Sequence, residues 1–91
     1  MNDSEKRREL SAQLSQNLTD FLMTDLALGF EFARSAQLYK VSGNTKAFTR
    51  NKENATRAVR DIGYFADRLP AKEKAEIERR CSELARLISV L

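Results

Sequence analysis

The sequence predicts an all-α fold, an antiparallel bundle of three to four helices built on a long central hairpin. Its 91 residues contain three Gly and one Pro, too few for the many tight turns of a sandwich or barrel. Apolar residues also recur at three- and four-residue spacing along most of the chain, which is the period of an amphipathic helix. We therefore expect one helical domain spanning residues 1–91.

The first two predicted helices cover about residues 4–17 and 19–41. Asn17, Thr19 or Asp20 could cap the second of them, although no capping box is present. No Pro or Gly interrupts residues 4–28, so the two segments could equally form one continuous helix. Such a helix would extend about 55 Å at 1.5 Å per residue and would be longer than the helix that packs against it. The sequence leaves both arrangements open.

Two local signals define the remaining helices. Gly43 can adopt the left-handed conformation that ends a helix, and Asn44 can cap the next one. Pro70 suits the first turn of a new helix and disfavours helical geometry at Leu69. These signals predict helices at about residues 45–68 and 71–89.

The turn between the second and third predicted helices sets a register for the central hairpin. Residues in contact across an antiparallel hairpin here have numbers that sum to about 87. This register brings Leu28 near Val59 and Gly29 opposite Ala58. A Gly inside a helix costs about 1 kcal/mol relative to Ala, so we expect Gly29 and Gly63 to permit close packing, the alternative being that both are merely tolerated.

The second predicted helix has more apolar surface than one neighbouring helix can cover. A chain of this size buries only about 60–65% of its extended surface, so self-association would cover the excess. We therefore expect a homodimer, or else a monomeric four-helix bundle in which the first segment folds back. The candidate interface residues are Leu10, Leu14, Leu18, Phe21 and Phe30.

The chain offers few groups for catalysis. It has no His and one Cys, which removes the usual zinc ligands and any intramolecular disulfide. Asp25 interrupts an apolar run close to Asp61 in the hairpin register. A buried carboxylate there would have a perturbed pKa and could centre an active site with Asp61, but such a residue more often lies at the edge of the apolar stripe or pairs with Arg. Cys81 lies on the apolar stripe of the last helix and is interpreted as a small hydrophobe. We predict a non-enzymatic protein without metal or cofactor.

A basic segment supports an alternative function. The net charge is +3, and six of the cations lie between residues 40 and 60 with a single anion, Glu53. Lys46, Arg50, Arg57 and Arg60 are candidate nucleic-acid contacts, since such side chains bind phosphates. A solvated helix face explains the same residues, and no known DNA-reading motif accompanies them. A nucleic-acid-binding accessory protein is therefore the second hypothesis.

Hydropathy bears on location. The most apolar stretch, residues 21–36, is interrupted by Asp25, Glu31 and Arg34 and is shorter than the roughly 20 apolar residues of a membrane span. The charged first residues do not lead into an apolar signal core. We expect a cytoplasmic protein without a membrane span, and the single Cys81 suits a reducing compartment.

The turn region Ala36-x-x-Tyr39-x-x-x-Gly43-Asn44-x-x-Ala47 resembles the helical hairpins of tetratricopeptide repeats and, more distantly, of microtubule-interacting-and-trafficking domains. The resemblance covers about a third of the chain, without the second copy on which such repeats stack. It implies peptide or protein binding. Together with the surplus apolar surface, it favours a small helical protein-interaction or assembly module that self-associates.

Overall fold

The computed structural model describes residues 2–91 and confirms the all-α fold class. Its three helices are α1 (Asp3–Ser42), α2 (Thr45–Ala66) and α3 (Ala71–Ser89), and no strand occurs in this part of the chain. Helix α2 packs back along α1, and α3 then returns in the direction of α1. The Lys40 ammonium donates a hydrogen bond to the carbonyl of Leu91, which ties the end of α3 to the end of α1.

Helix α1 is continuous, so the first two predicted helices form one helix. The bundle therefore has three helices, and the alternative of a four-helix bundle is wrong. The polar side chains that could have capped a new helix bond along α1 instead. The Thr19 hydroxyl donates to the Ser15 carbonyl at 2.9 Å, and the Gln16 amide donates to the Asp20 carboxylate at 2.9 Å. Neither bond takes up a backbone N–H, as a cap would, so the helix ladder runs through this segment.

The turn at Gly43 forms as the sequence predicts. Gly43 has a φ of 81°, the left-handed region that is open to Gly and strained for most other residues. Its N–H donates to the Lys40 carbonyl at 3.3 Å, and the Asn44 N–H donates to the Tyr39 carbonyl at 3.0 Å. The Asn44 side chain then accepts from the Ala47 N–H at 3.1 Å and caps α2. Each of these bonds uses a backbone group that the helix ends leave free.

The second turn is tighter than predicted. Helix α2 ends at Ala66, two residues before the expected end, because Arg68 and Leu69 donate to carbonyls three residues back, at 3.0 Å each. Helix α3 starts directly after Pro70 and ends at Ser89, as the sequence predicts.

All three helices contribute to one apolar core. Its five largest fully buried side chains are Leu22, Leu26, Ile62, Ile77 and Leu84. The buried residues of α1 begin at Leu22 and end at Ala36, whereas every residue from Asn2 to Leu14 is exposed. The core therefore occupies one part of α1 and leaves the first turns without a partner.

The two helical glycines have different surroundings. A Cβ on Gly29 would lie 3.2 Å from the Ala58 Cβ, which confirms the predicted hairpin contact, and 2.5 Å from a terminal carbon of Leu84. Gly29 thus lets α3 as well as α2 approach α1. The expectation for Gly63 is wrong, because it lies on an exposed part of α2 where an added Cβ would meet no atom within 4 Å.

The length of α1 determines the shape of the molecule. The described residues extend over 61 × 18 × 15 Å. Forty helical residues account for about 60 Å of that length, while α2 and α3 each cover only about half of it. Residues 3–14 of α1, called the projecting segment below, are all exposed and reach past the end of the bundle, although Arg8, Ser11 and Ala12 border a cleft with Pro70 and Glu73. Within residues 2–91, no helix is long and apolar enough to cross a membrane.

Candidate functional site

Exposed apolar side chains line up along one side of α1. Leu10, Leu14, Phe21 and Leu28 are exposed to 58%, 68%, 56% and 49%, respectively. Leu14, Phe21 and Leu28 are spaced by seven residues, which places them on the same side of a helix, and Leu10 lies one turn before Leu14. These four residues form the α1 stripe, which starts on the projecting segment and continues onto the bundle.

The α1 stripe is separate from the side of α1 that builds the core. The buried residues Leu22, Leu26, Gly29, Ala33 and Ala36 follow their own three- and four-residue spacing. Phe21 and Leu22, or Leu28 and Gly29, are adjacent in sequence and so point about 100° apart around the helix axis. Helix α1 thus has two neighbouring apolar faces, and α2 and α3 cover only one of them.

The structure separates the five predicted interface residues into two groups. Leu10, Leu14 and Phe21 are exposed on the α1 stripe. Leu18 and Phe30 are half-buried and pack against the core. Phe30 lies on the other side of α1, in a cleft that residues of α3 also line. The structure therefore does not bring these five residues together on one surface.

Leu28 lies on the α1 stripe, although the sequence predicts that it packs against α2. The hairpin register placed it against Val59, yet it is half exposed at the outer edge of the contact between α1 and α2. The seven-residue spacing from Leu14 and Phe21 is the sequence signal that identifies it.

A cleft between α1 and α2 borders the α1 stripe. Its lining residues, which define the α1–α2 cleft, are Asp25, Leu28, Phe32, Asn54, Arg57, Ala58 and Asp61. Partial burial raises the pKa of Asp25, and the nearby Asp61 carboxylate raises it further. Asp25 takes part in no ion pair among residues 2–91, and Asp61 meets only the exposed Arg60, at 3.6 Å. The cleft therefore has two like charges at one end and Arg57 near the other.

Cys81 has the surroundings of a packing residue. Its thiol is half-buried against the core and donates to the Val59 carbonyl at 3.6 Å. Burial raises the pKa of the Cys81 thiol, and Glu78 adds to that shift. A nucleophilic Cys needs the opposite shift, because the thiolate is the reactive form. The part of the chain that the structure describes also contains no cluster of three or more metal-ligating side chains.

The predicted nucleic-acid contacts lie together on α2. Lys46, Arg50, Arg57 and Arg60 are all exposed, on the side of the helix away from the core residues Ala55, Ile62 and Ala66. The row extends over about 21 Å at 1.5 Å per residue. Its position agrees with a solvated helix face and also leaves the four cations accessible to phosphates.

Comparison with other proteins assigns no family to this chain. Family models, characterised proteins and solved structures give no significant match to it. The likeness of the turn region to tetratricopeptide and microtubule-interacting hairpins stays a prediction. The surfaces of the chain itself are therefore the basis for inferring function.

Proposed function

We propose that this protein is a small non-enzymatic helical assembly module that self-associates through the α1 stripe. The observation that supports this proposal is the alignment of four large, exposed apolar side chains on one side of a single helix. Aligned apolar surface of this kind is typical of sites where proteins interact. Leu10 and Leu14 lie on the projecting segment, where no other part of residues 2–91 covers them.

The apolar area is of the size that association needs. Full burial of a Leu or Phe side chain is worth about 1.5–3 kcal/mol, and roughly half of that is still available at each stripe residue. Two copies would together gain on the order of 6–12 kcal/mol if all eight stripe side chains became fully buried. We therefore expect a reversible homodimer, not an obligate one.

The other exposed apolar residues lie off the α1 stripe. Leu38 and Val41, one turn apart near the end of α1, and Val90 after α3 lie at one end of the bundle, while Tyr64 lies on α2. The α1 stripe is the longer row, because its four residues extend over about 27 Å of one helix. The proposal includes a cytoplasmic location, which a free thiol at Cys81 suits because thiols persist in reducing compartments.

Light scattering coupled to size-exclusion chromatography tests the self-association. The wild-type chain should show a dimer mass that falls toward the monomer on dilution, read by refractive index because the chain has no Trp. Leu14→Asp with Phe21→Asp should be monomeric throughout, since both positions lie on the α1 stripe. Leu38→Asp is the matched control, because it places the same charge at an exposed Leu off the stripe.

Circular dichroism should show that these variants keep the helical content of the wild type, because each replaced side chain is exposed. A wild-type chain that stays monomeric at every concentration would overturn the proposal. A double variant that still forms the wild-type dimer would show that the α1 stripe is not the interface.

Nucleic-acid binding is a second candidate function, favoured by one observation. Lys46, Arg50, Arg57 and Arg60 form an exposed row in which, among residues 2–91, Arg60 alone lies within 4 Å of a carboxylate, that of Asp61. Such a row could neutralise several phosphates, and binding would then weaken steeply as salt rises.

Fluorescence anisotropy with labelled single- and double-stranded oligonucleotides tests this candidate. Lys46→Glu with Arg50→Glu and Arg57→Glu should abolish binding, while Arg79→Glu should leave it intact. Arg79 is a suitable control because Glu76 and Glu83 already pair with it on α3, at 3.0 and 2.7 Å. Affinity that ignores ionic strength, or that survives the triple reversal, would eliminate this mechanism.

A further inference from the structure

We propose that the two copies of the dimer associate antiparallel, with the projecting segment of each α1 lying along the α1–α2 cleft of the other. This inference rests on the proposed self-association and specifies its geometry. The occupant of the exposed surface is thus a second copy of this chain. Three features of the chain lead to this arrangement: a heptad series, an asymmetry of charge and a matching order of charges.

The α1 stripe belongs to a longer series with heptad spacing. Its positions are separated alternately by four and three residues, which is the spacing along which two helices pack side by side. The members of this series are Asp3, Arg7, Leu10, Leu14, Asn17, Phe21, Thr24 and Leu28. A second α1 helix presents the same series and therefore fits this surface.

The two ends of the series have opposite charge. On the projecting segment, Arg7 lies in the series and Lys6 is beside it, whereas Glu5 and Glu9 lie on the other side of the helix. On the bundle, the series passes Asp25, which Asp61 of α2 approaches. A parallel dimer would place like charges opposite each other at both ends, at a cost in free energy. An antiparallel dimer places cations opposite carboxylates twice.

One antiparallel register brings Leu10, Leu14 and Phe21 of the two copies together and pairs the charges, while Leu28 comes opposite Asp3 at the edge of the contact. When facing residue numbers sum to about 31, Leu10 of one copy packs on Phe21 of the other, and Leu14 packs beside Asn17. Arg7 then lies next to Asp25 of the second copy. The two-fold axis crosses α1 near Ser15 and Gln16.

The order of charges along the cleft agrees with this register. From Arg7, the projecting segment continues to Asp3, while the α1–α2 cleft continues from its two carboxylates to Arg57. Arg7 of one copy thus faces Asp25 and Asp61 of the other, and Asp3 faces Arg57. Arg7 would also relieve the repulsion between Asp25 and Asp61, since of these two carboxylates only that of Asp61 contacts a cation among residues 2–91, Arg60 at 3.6 Å.

Distances between spin labels test the orientation. A Cys81→Ser chain with Glu5→Cys takes one label at an exposed site on the side of α1 away from the stripe. In an antiparallel dimer, the two labels should be separated by about 30 Å along the helix axis, from the rise of 1.5 Å per residue. In a parallel dimer the labels would have no offset along the axis and would lie on the two outer sides of the helix pair, about 20–25 Å apart. The axial offset of the antiparallel dimer adds to this separation and gives about 35–40 Å. Pulsed electron paramagnetic resonance distinguishes these values.

Charge exchange tests the pairing of Arg7 with Asp25. Arg7→Asp and Asp25→Arg should each weaken dimerisation about tenfold, and the chain with both changes should regain most of the wild-type affinity. Glu9→Arg is the control, since it changes a charge on the opposite side of α1 and should leave the dimer unaltered.

The outcomes separate this inference from the proposed function. A monomeric wild-type chain would overturn both. A dimer with the shorter label distance would overturn the antiparallel arrangement and keep the self-association. A dimer with the longer distance in which the exchanged chain stays weak would overturn the charge pairing, while restored affinity together with the longer distance supports the whole proposal.

Discussion

The projecting segment of α1 and the packed remainder of the same helix share one sequence pattern but differ in whether other helices cover it. Both contain apolar residues at helical spacing. From Leu22 to Ala36 these residues are buried by α2 and α3, whereas Leu10 and Leu14 are buried by nothing within residues 2–91. The comparison teaches that helical periodicity marks a surface to be covered and does not say which part of the chain, or which other chain, covers it.

The largest contrast between the two regions should appear on truncation of a Leu. Leu26 is 1% exposed in the core, so Leu26→Ala should lower the free energy of unfolding by about 2–5 kcal/mol. Leu14→Ala removes an exposed side chain and should change the free energy of unfolding of the monomer by less than about 0.5 kcal/mol. Urea unfolding, at concentrations where the wild type is monomeric, measures both. Equal losses would mean that the projecting segment packs on the bundle in solution.

A smaller contrast should separate the two helical glycines. Gly29→Ala gains helix propensity but forces Leu84 and Ala58 to move, so we expect a net loss of about 1 kcal/mol. Gly63→Ala gains the same propensity in open space and should raise stability by about 0.5–1 kcal/mol. Thermal unfolding of both variants checks the signs, and a stabilising Gly29→Ala would show that Leu84 yields freely.

The smallest effect should appear in the pH dependence of the monomer. The pKa of Asp25 is raised above 3.8 in the folded chain, so the folded state holds this proton more tightly than the unfolded state. Its contribution to stability is therefore present at low pH and is lost as pH rises from 3.8 through the folded-state pKa. Arg57 and Asp61 are the charged groups of α2 that line the cleft with it. At neutral pH, Asp25→Asn should stabilise the monomer by less than about 1 kcal/mol.

Dimerisation should have the opposite pH dependence. Arg7 of a second copy favours the ionised form of Asp25, so the dimer should weaken as pH falls through the pKa of that carboxyl. Urea unfolding of dilute samples and light scattering of concentrated samples, both from pH 4 to 7, separate the two trends. Dimer affinity that does not change over this range would argue against the contact with Asp25.

Local signals predicted the parts of the fold that depend on backbone geometry. The left-handed residue at Gly43, the cap at Asn44 and the start of α3 after Pro70 each follow from the conformations open to one residue. The continuity of α1 does not, because Thr19 can bond within a helix or cap a new one with the same hydroxyl. Which bond it makes depends on the geometry of the whole helix.

The candidate site was predicted only as far as α1 alone determines it. Leu10, Leu14 and Phe21 share a side of the helix whatever packs elsewhere. The sequence predicted Phe30 as an interface residue, whereas the structure places Leu28 on the α1 stripe. This difference depends on where α3 packs, because α3 lies beside Phe30 and leaves Leu28 half exposed. The seven-residue spacing identifies Leu28 as a stripe residue, but no nearby residue signals that Phe30 is covered, since this follows from contacts more than fifty residues apart in the chain.

The continuity of α1 also affects how fast a partner can be engaged. An isolated peptide of about twelve residues is mostly coil in water, because nucleating its first turn costs conformational entropy for a single hydrogen bond. The projecting segment avoids nucleation, since residues that the bundle already holds helical serve as its template. Association then requires no coupled folding, and the encounter is limited by diffusion and orientation. Amide hydrogen exchange in the monomer should accordingly slow in a gradient from Ser4 toward Leu22.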